Sequence, residues 1–173
     1  GILGPTKLNH ELLDACIQSG LFESLNCRLV FVGKNDGGDY GLELLAKIKD
    51  AGIEGRVTIT GFAEVEVFRR YLQAADIAVQ LRGLSRGETS GTVLDCMAYG
   101  VPTIINKNGA MAELPSGPLV QLEENFDVPS LSRELQRLAN DSRVRQEYGE
   151  RARTHIREKH GPNMIGQHYH AAI

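Results

Sequence analysis

The stretch DIAVQLRGLSRGETSGTVLDCMAYGVPTIIN, residues 76–106, decides the fold class. It begins with an apolar run at 76–81, passes through a loop rich in glycine and serine, and continues as a helical segment at 91–99. Gly100 is placed to end that helix, and a β-branched run at 101–106 follows it. A strand, a helix and a second strand in this order predict a βαβ unit within a parallel sheet.

The same alternation extends over most of the chain. The remaining predicted strands are 28–33, 56–61 and 119–122, and the remaining predicted helices are 6–19, 40–51 and 64–75. After position 127 the chain becomes helical, with Asp127 and Asp141 as predicted N-caps. The pattern therefore predicts one α/β domain over 1–173, with a doubly wound, Rossmann-like parallel sheet and a helical C-terminal tail.

Composition excludes several classes of protein. The 173 residues contain 19 Lys and Arg against 22 Asp and Glu, for a net charge of −3, which argues against a nucleic-acid binder. No apolar run approaches the ~18 residues of a membrane span. Cys16, Cys27 and Cys96 are an odd number without a CxxC pair, which predicts reduced thiols and a cytoplasmic protein. For Cys96, a buried packing thiol is favoured over a nucleophile.

Three predicted strands end in loops that contain glycine, at 33–38, 61–62 and 83–91. Ligands of open parallel sheets bind at the carboxyl ends of the strands, where glycine lets the backbone approach phosphate oxygens. Glycine also serves simply to end strands and form turns, but three converging loops favour a binding site. Because neither GxGxxG nor a Walker A motif occurs, ordinary NAD-binding and P-loop chemistry are disfavoured.

The loop at 83–91 carries the chemistry of greatest interest. Glu88 precedes Asp95 by seven residues, about two helical turns, which predicts both carboxylates on one side of a helix and roughly 10 Å apart. The amides of Thr89, Ser90 and Gly91 would lie at the positive end of that helix, where a diphosphate fits. Alternatively, Glu88 only complements the helix dipole and Asp95 is a solvated helix residue.

VLDCMAYGVPT, residues 93–103, resembles the signature of family 4 retaining glycosyltransferases with the GT-B fold. In that family two glutamates separated by seven residues run into V-L-E-A-M-A-x-G-x-P-V. Four further segments match family motifs in the same order: KLNHELLDA at 7–15, RLVFVG at 28–33, RVTITGF at 56–62 and AADIAV at 74–79. The resemblance implies the donor-binding C-terminal half of a two-domain enzyme, whose N-terminal acceptor domain is absent from this chain.

The resemblance also implies roles for single residues. Lys7 would neutralise the diphosphate of a nucleoside-diphosphate sugar, and Glu88 would lie near the sugar hydroxyls; these are the catalytic candidates. Asp95 would bind the ribose hydroxyls. The other implied substrate contacts are Gly33, Gly61 and Phe62 beside the nucleotide, and Thr89, Ser90 and Gly91 near the phosphates. No cofactor and no catalytic metal are implied.

The sequence departs from the family pattern at three positions. Glu88 lies one residue too close to Asp95, because the aligned position is Gly87. Asp95 is shorter than the usual glutamate. Ile2 replaces an arginine that ordinarily lies five residues before the lysine, so Arg82 or Arg86 would have to supply that charge.

The leading hypothesis is a cytoplasmic glycosyltransferase fragment, of the kind used in polysaccharide biosynthesis, acting on a glycan or lipid-linked acceptor. A GT-B-type sugar-nucleotide epimerase and a non-catalytic nucleotide-binding domain are the alternatives. The arginine-rich segment 143–157 is interpreted as a solvated, salt-bridged face, with contact to a partner domain or to the inner face of a membrane as the second possibility. His168 and His170 are two positions apart, a spacing that does not favour a metal site.

Overall fold

The strands are parallel and form two hydrogen-bonded sheets. The structure, a computed structural model, describes residues 1–24, 26–85, 87–88 and 90–160. One sheet pairs β1 with β2, and the other has the order β3-β4-β5. The strands are β1 Leu29–Phe31, β2 Val57–Ile59, β3 Ala78–Gln80, β4 Thr103–Asn106 and β5 Val120–Leu122. Each is shorter than its apolar run in the sequence, because the run also includes residues that lead into the neighbouring loops.

Seven α-helices are described, and most follow the predicted bounds. They are α1 Asn9–Gln18, α2 Leu21–Ser24, α3 Asp39–Asp50, α4 Val65–Ala74, α5 Gly91–Tyr99, α6 Val128–Asn140 and α7 Ser142–Lys159. The predicted helix 6–19 is divided into a 3-10 turn, Pro5–Lys7, and α1, because Leu8 between them is left-handed with φ 51°. The short α2 and the 3-10 turn Gly109–Glu113 were not predicted.

Helices cover both faces of the sheet formed by β3, β4 and β5. Neighbouring side chains of a strand point to opposite faces, and Ile104 and Ile105 of β4 are both completely buried. Ile104 belongs to the core cluster that includes Leu131 of α6, whereas Ile105 packs with Met97 of α5 and Ala152 of α7. The predicted doubly wound fold is confirmed.

The C-terminal helices begin where the sequence predicts. Asp127 Oδ1 accepts a 2.8 Å hydrogen bond from the Ser130 amide, and Asp141 Oδ1 accepts bonds of 2.9 and 3.2 Å from the amides of Arg143 and Val144. Both aspartates are therefore N-caps, of α6 and α7 respectively.

Two arginines of α7 hold the carboxyl ends of other helices. Arg153 Nη2 donates to the Tyr99 carbonyl at the end of α5 (2.8 Å), and Arg145 Nη1 donates to the Leu138 carbonyl near the end of α6 (2.6 Å). A cation at such a position satisfies terminal carbonyls and complements the helix dipole. Arg145 and Arg153 of the basic segment therefore stabilise contacts between helices. Arg151 and Glu147 form the expected exposed ion pair at 3.3 Å.

Candidate functional site

Two cations, Lys7 and Arg82, lie together at the carboxyl edge of the β3-β4-β5 sheet. Lys7 ends the 3-10 turn that precedes α1, and Arg82 follows β3. A hydrogen bond from the Gly83 amide to the Thr6 carbonyl, 3.1 Å long, ties the two segments together. Sequence resemblance predicted Lys7 here, and Arg82 was one of two candidates for the missing arginine.

Lys7, Arg82 and Glu88 lie close enough together for their charges to shift the pKa values of the two cations. Burial, and next the positive charge of Arg82, lower the pKa of Lys7, while Glu88 raises it. Burial also lowers the pKa of Arg82, against the opposing effect of Glu88. Glu88 therefore lies close enough to influence both cations. A group with several negative charges would compensate the two cations more fully than one carboxylate does.

Asn106 holds Arg82 in place. Asn106 ends β4 and is completely buried. Its Oδ1 accepts the Arg82 amide proton at 2.8 Å, and its Nδ2 donates to the Arg82 carbonyl at 2.8 Å. The guanidinium is oriented separately, since Nη1 donates to the Leu81 carbonyl (3.1 Å) and Nη2 to Ser90 Oγ (3.3 Å). The backbone and the charge of Arg82 are thus fixed by different partners.

The acidic pair does not have the predicted helical spacing. Helix α5 begins at Gly91, with buried Ser90 at its N-cap position, so Glu88 lies in the preceding loop. The expectation that Glu88 and Asp95 share one side of a helix two turns apart is wrong for this reason. Asp95 itself is exposed on α5 and accessible to a ligand. Thr89 and Arg86 lie outside the described residues.

The amino end of α5 faces the same loop. The Val93 and Leu94 amides donate to the Ser90 carbonyl at 3.0 and 3.2 Å and so begin the hydrogen bonding of the helix. The Gly91 amide therefore precedes that bonding, at the positive end of the helix dipole. An anion bound between Lys7 and Arg82 would find this end of α5 nearby, because Ser90 contacts Arg82 directly.

The loops after β1 and β2 are built mainly of backbone. The Gly33 amide donates to Thr60 Oγ1 at 3.0 Å, and a Cβ on Gly33 would lie 1.8 Å from the Gly1 carbonyl oxygen, so only glycine fits there. Gly61 is left-handed, with φ 74° and open space around it. Phe62 is 80% exposed. Gly33 is thus enclosed, whereas Gly61 and Phe62 present an open surface.

A cavity of about 260 Å³ adjoins Arg82 on the side of β4 and β5. Its lining combines acidic, amide and apolar side chains from α1 and from the loops after β3, β4 and β5. Among the lining residues are Leu8, Glu11, Asn108, Glu124 and Phe126. Leu8 lies close to Gly83, where an added Cβ would be 3.0 Å from Leu8 Cδ2. Sequence reasoning did not predict this cavity.

Cys96 is a packing residue, as predicted. It is 1% exposed and belongs to a cluster with Leu72 and Val101. Burial raises the pKa of its thiol to about 12, so the thiolate is scarce at neutral pH.

Two observations concern membranes and metals. Within the described part of the chain, no helix is both long and apolar enough to cross a membrane. Over the same residues, no group of three or more His, Cys, Asp or Glu side chains could hold a metal ion. His168 and His170 lie outside the described residues.

The sequence matches the family of glycosyl transferases group 1 over residues 1–155. The chain belongs to this family. No curated protein sequence matches it. The family assignment agrees with the resemblance carried by the motif at 93–103 and confirms a glycosyltransferase domain.

Solved structures identify the part of the glycosyltransferase that this domain resembles. It is similar to the C-terminal domain of the group 1 glycosyltransferase LpcC from Francisella tularensis, with a TM-score of 0.82, 23% identity, and coverage of 94% of this chain and 84% of that one. It is also similar to Anabaena HepE in complex with UDP, with a TM-score of 0.85, 20% identity, and coverage of 99% and 46%. WaaG, a glycosyltransferase involved in lipopolysaccharide biosynthesis, matches with a TM-score of 0.69, 19% identity, and coverage of 89% and 41%. The domain has the Rossmann-like fold of a GT-B C-terminal domain and spans less than half of HepE and WaaG.

Asn106 is a residue of the candidate site that sequence reasoning on this glycosyltransferase domain missed. The available signal was a polar residue directly after the buried run TII at 103–105, at the carboxyl end of a strand. Such a residue is either exposed or hydrogen-bonded to neighbouring loops. Only the folded arrangement shows that its partner is the backbone of Arg82.

Proposed function

We propose that this domain binds a nucleoside-diphosphate sugar, with the diphosphate between Lys7 and Arg82. The observation that carries the proposal is the pair of partly buried cations, whose pKa values burial lowers. A bound diphosphate would remove the repulsion between them and would lie near the amino end of α5. The UDP bound in the HepE structure supports this assignment through the shared fold.

In the whole protein we propose transfer of the sugar to a glycan or lipid-linked acceptor, with retention of configuration as in family 4. The bond between the anomeric carbon and the β-phosphate oxygen breaks, the acceptor hydroxyl oxygen forms the new bond to that carbon, and the hydroxyl proton passes to the departing diphosphate. Negative charge then grows on the departing diphosphate, where Lys7 and Arg82 stabilise it. The acceptor and its binding groups belong to a further domain.

The remaining predicted residues fit a donor arranged across the carboxyl edge. Asp95 is accessible for the ribose hydroxyls, and Gly61 and Phe62 offer an open surface for the base. Glu88, near both cations, would approach the sugar hydroxyls next to the diphosphate. Gly33 contributes by shaping the loop after β1, since its amide already bonds Thr60.

Calorimetric titration of the domain with UDP, GDP and ADP tests the proposal. A bound nucleotide at 100 times its Kd should stabilise the domain by about 2.7 kcal/mol, which corresponds to a rise in Tm of roughly 5–10 °C. Lys7→Met should weaken binding about 10-fold or more, because it removes a charge-assisted contact to phosphate. Lys49→Met, on the exposed surface of α3, is the matched control and should bind as the unmodified domain does. Equal affinities of the two variants would show that the diphosphate does not lie at Lys7.

A further inference from the structure

Lys7 is carried by a short segment whose backbone is strained. Within this segment, residues 4–8 and called the lysine turn below, the Lys7 amide donates to the Gly4 carbonyl at 2.8 Å and the Leu8 amide to the Pro5 carbonyl at 3.3 Å. Leu8 is left-handed, with φ 51° and ψ 45°, a conformation that is unfavourable for an L-residue. Such a conformation persists only where the surrounding structure maintains it, so contacts from outside the lysine turn decide where the Lys7 side chain lies.

Both ends of the lysine turn are held by the connection between β1 and α3. Before the turn, the Leu3 amide donates to the Lys34 carbonyl in the loop after β1, at 2.8 Å. After the turn, the Asn9 and His10 amides both donate to Tyr40 Oη, at 2.8 and 3.3 Å. Tyr40 lies in the first turn of α3, directly after that loop. The two ends of the lysine turn are therefore fixed to the same part of the fold.

Tyr40 caps α1 from a different helix. Leu8 occupies the N-cap position of α1 and has no side-chain oxygen. Since the first amides of a helix lack partners within it, the phenol oxygen supplies the acceptor that a Ser or Asp N-cap ordinarily supplies. The Tyr40 and His10 rings are 4.2 Å apart between centroids, and His10 Nε2 donates to the Tyr40 carbonyl at 3.0 Å. The ring of Tyr40 is thus held independently of its hydroxyl group.

Asn9 closes the base of the lysine turn. Its side chain is 8% exposed, and Oδ1 accepts the Gly4 amide proton at 2.9 Å, which joins the two ends of the turn directly. On the opposite side of the turn, the Thr6 carbonyl accepts the Gly83 amide proton at 3.1 Å, next to Arg82. The bonds from Tyr40 and Asn9 therefore determine how the turn meets the loop after β3.

We propose that Tyr40 is a positioning residue for Lys7, which acts through Asn9 and the start of α1 to hold the lysine turn against the loop of Arg82. The proposal rests on the proposed function for the ligand that Lys7 contacts. Tyr40 itself does not have to touch the diphosphate. A charge-assisted hydrogen bond to phosphate depends on distance and direction, so a lysine turn that samples other positions binds the anion more weakly.

A double-mutant cycle on the binding of inorganic pyrophosphate, measured by calorimetry, tests this proposal. Tyr40→Phe removes the phenol oxygen and keeps the ring against His10. It should weaken binding about 2- to 12-fold, because losing one neutral hydrogen bond lowers the population of the competent turn by that factor. In a Lys7→Met background, the same substitution should have no further effect on affinity, since Tyr40 acts through Lys7. Tyr71→Phe, on α4, is the matched control and should bind pyrophosphate as the unmodified domain does.

NMR titration of the Lys7 side chain gives a second measurement that needs no ligand. In the unmodified domain, burial and the charge of Arg82 lower the pKa of Lys7. Tyr40→Phe should move this pKa towards the ordinary 10.5, because a displaced ammonium group is less buried and lies farther from Arg82. Tyr71→Phe should leave the pKa of Lys7 unchanged, whereas a purely structural role of Tyr40 would make the two variants alike.

The two measurements separate this proposal from the proposed function. If Lys7→Met weakens pyrophosphate binding, the cycle decides: an equal loss from Tyr40→Phe with and without Lys7, or no loss at all, would overturn the positioning role. If Lys7→Met leaves binding of pyrophosphate and nucleotides unchanged, the proposed function fails, and the pKa of Lys7 in Tyr40→Phe decides the positioning role alone. Asn9→Leu, which removes the bond to Gly4, replaces Tyr40→Phe in both measurements if thermal unfolding shows that the phenylalanine variant does not fold.

Discussion

The two groups of loops at the carboxyl edges of the sheets are built by different means. After β1 and β2, the predicted contacts are backbone groups of Gly33 and Gly61 and the exposed ring of Phe62. After β3 and β4, buried polar side chains hold a charged group, with Asn106 fixing the backbone of Arg82. An open surface of backbone groups and an aromatic ring suits a flat nucleobase. Fixed cations suit a diphosphate. The difference supports the proposed placement of the base at the first group and of the diphosphate at the second.

The largest expected effect that tests this comparison comes from Asn106→Leu. The substitution removes the completely buried amide of Asn106 and leaves the partly buried N–H and C=O of Arg82 without their present partners, which should lower the free energy of unfolding by about 2–4 kcal/mol. Thermal unfolding should report a fall in Tm of roughly 5–15 °C. Affinity for inorganic pyrophosphate should fall as well, because Arg82 loses its position. Asn140→Leu, at the exposed end of α6, is the control, and similar behaviour of the two variants would refute the role of Asn106.

An intermediate effect is expected from Gly61→Ala in the loop after β2. Gly61 has φ 74°, and an L-residue in this conformation costs about 1–2 kcal/mol even though the surrounding space is open. Gly55→Ala is the matched control, since Gly55 also has open space but no positive φ. If this loop contacts only the nucleoside, Gly61→Ala should weaken binding of UDP, GDP or ADP but leave pyrophosphate binding unchanged. Equal losses for nucleotide and pyrophosphate would remove the distinction between the two groups of loops.

The smallest expected effect is the contribution of the Lys7 charge to the free energy of unfolding of the ligand-free domain. Its pKa is lowered from the ordinary 10.5, so between the lowered value and 10.5 the unfolded chain binds more protons than the folded domain. The contribution of Lys7 to stability therefore rises with pH across this window. At pH 7, Lys7→Met should be slightly more stable than the unmodified domain, and the difference should shrink towards pH 10.

Urea unfolding at pH 7 and pH 9.5 checks the expectation for Lys7, with Lys49→Met as the control that should show no such change. A Lys7→Met variant less stable than the unmodified domain at pH 7 would contradict it. A saturating nucleoside diphosphate should reverse the order of stability, because the bound anion favours the lysine.

Local sequence signals predicted most of the secondary structure. The helix at 91–99, its end at Gly100 and the N-caps Asp127 and Asp141 were all predicted and are all present. These features depend on contacts within a few residues, such as an aspartate oxygen that accepts amide protons from the next turn. The division of the first predicted helix was missed, because nothing local distinguishes a left-handed Leu8 from a helical one.

The candidate site was predictable only in part. The motif at 93–103 and the order of the segments led to Lys7 and to the loop of Glu88, whose roles stay predictions. The bond between Asn106 and Arg82 spans 24 residues, and the cavity joins residues as distant as Leu8 and Phe126. Such pairings depend on how separate strands end at the same edge, which no local pattern encodes.

By itself, then, the sequence determined the parallel α/β architecture, the helix ends and the glycosyltransferase family, since periodicity, capping and ordered motifs are properties of neighbouring residues. Tertiary structure decided the rest. It brought Arg82 beside Lys7, joined the buried Asn106 side chain to the Arg82 backbone, and left the buried Asn108 Oδ1 without a hydrogen-bond partner among the described residues. The physical reason is that charge proximity, burial and hydrogen bonding between distant segments arise only once the strands have paired.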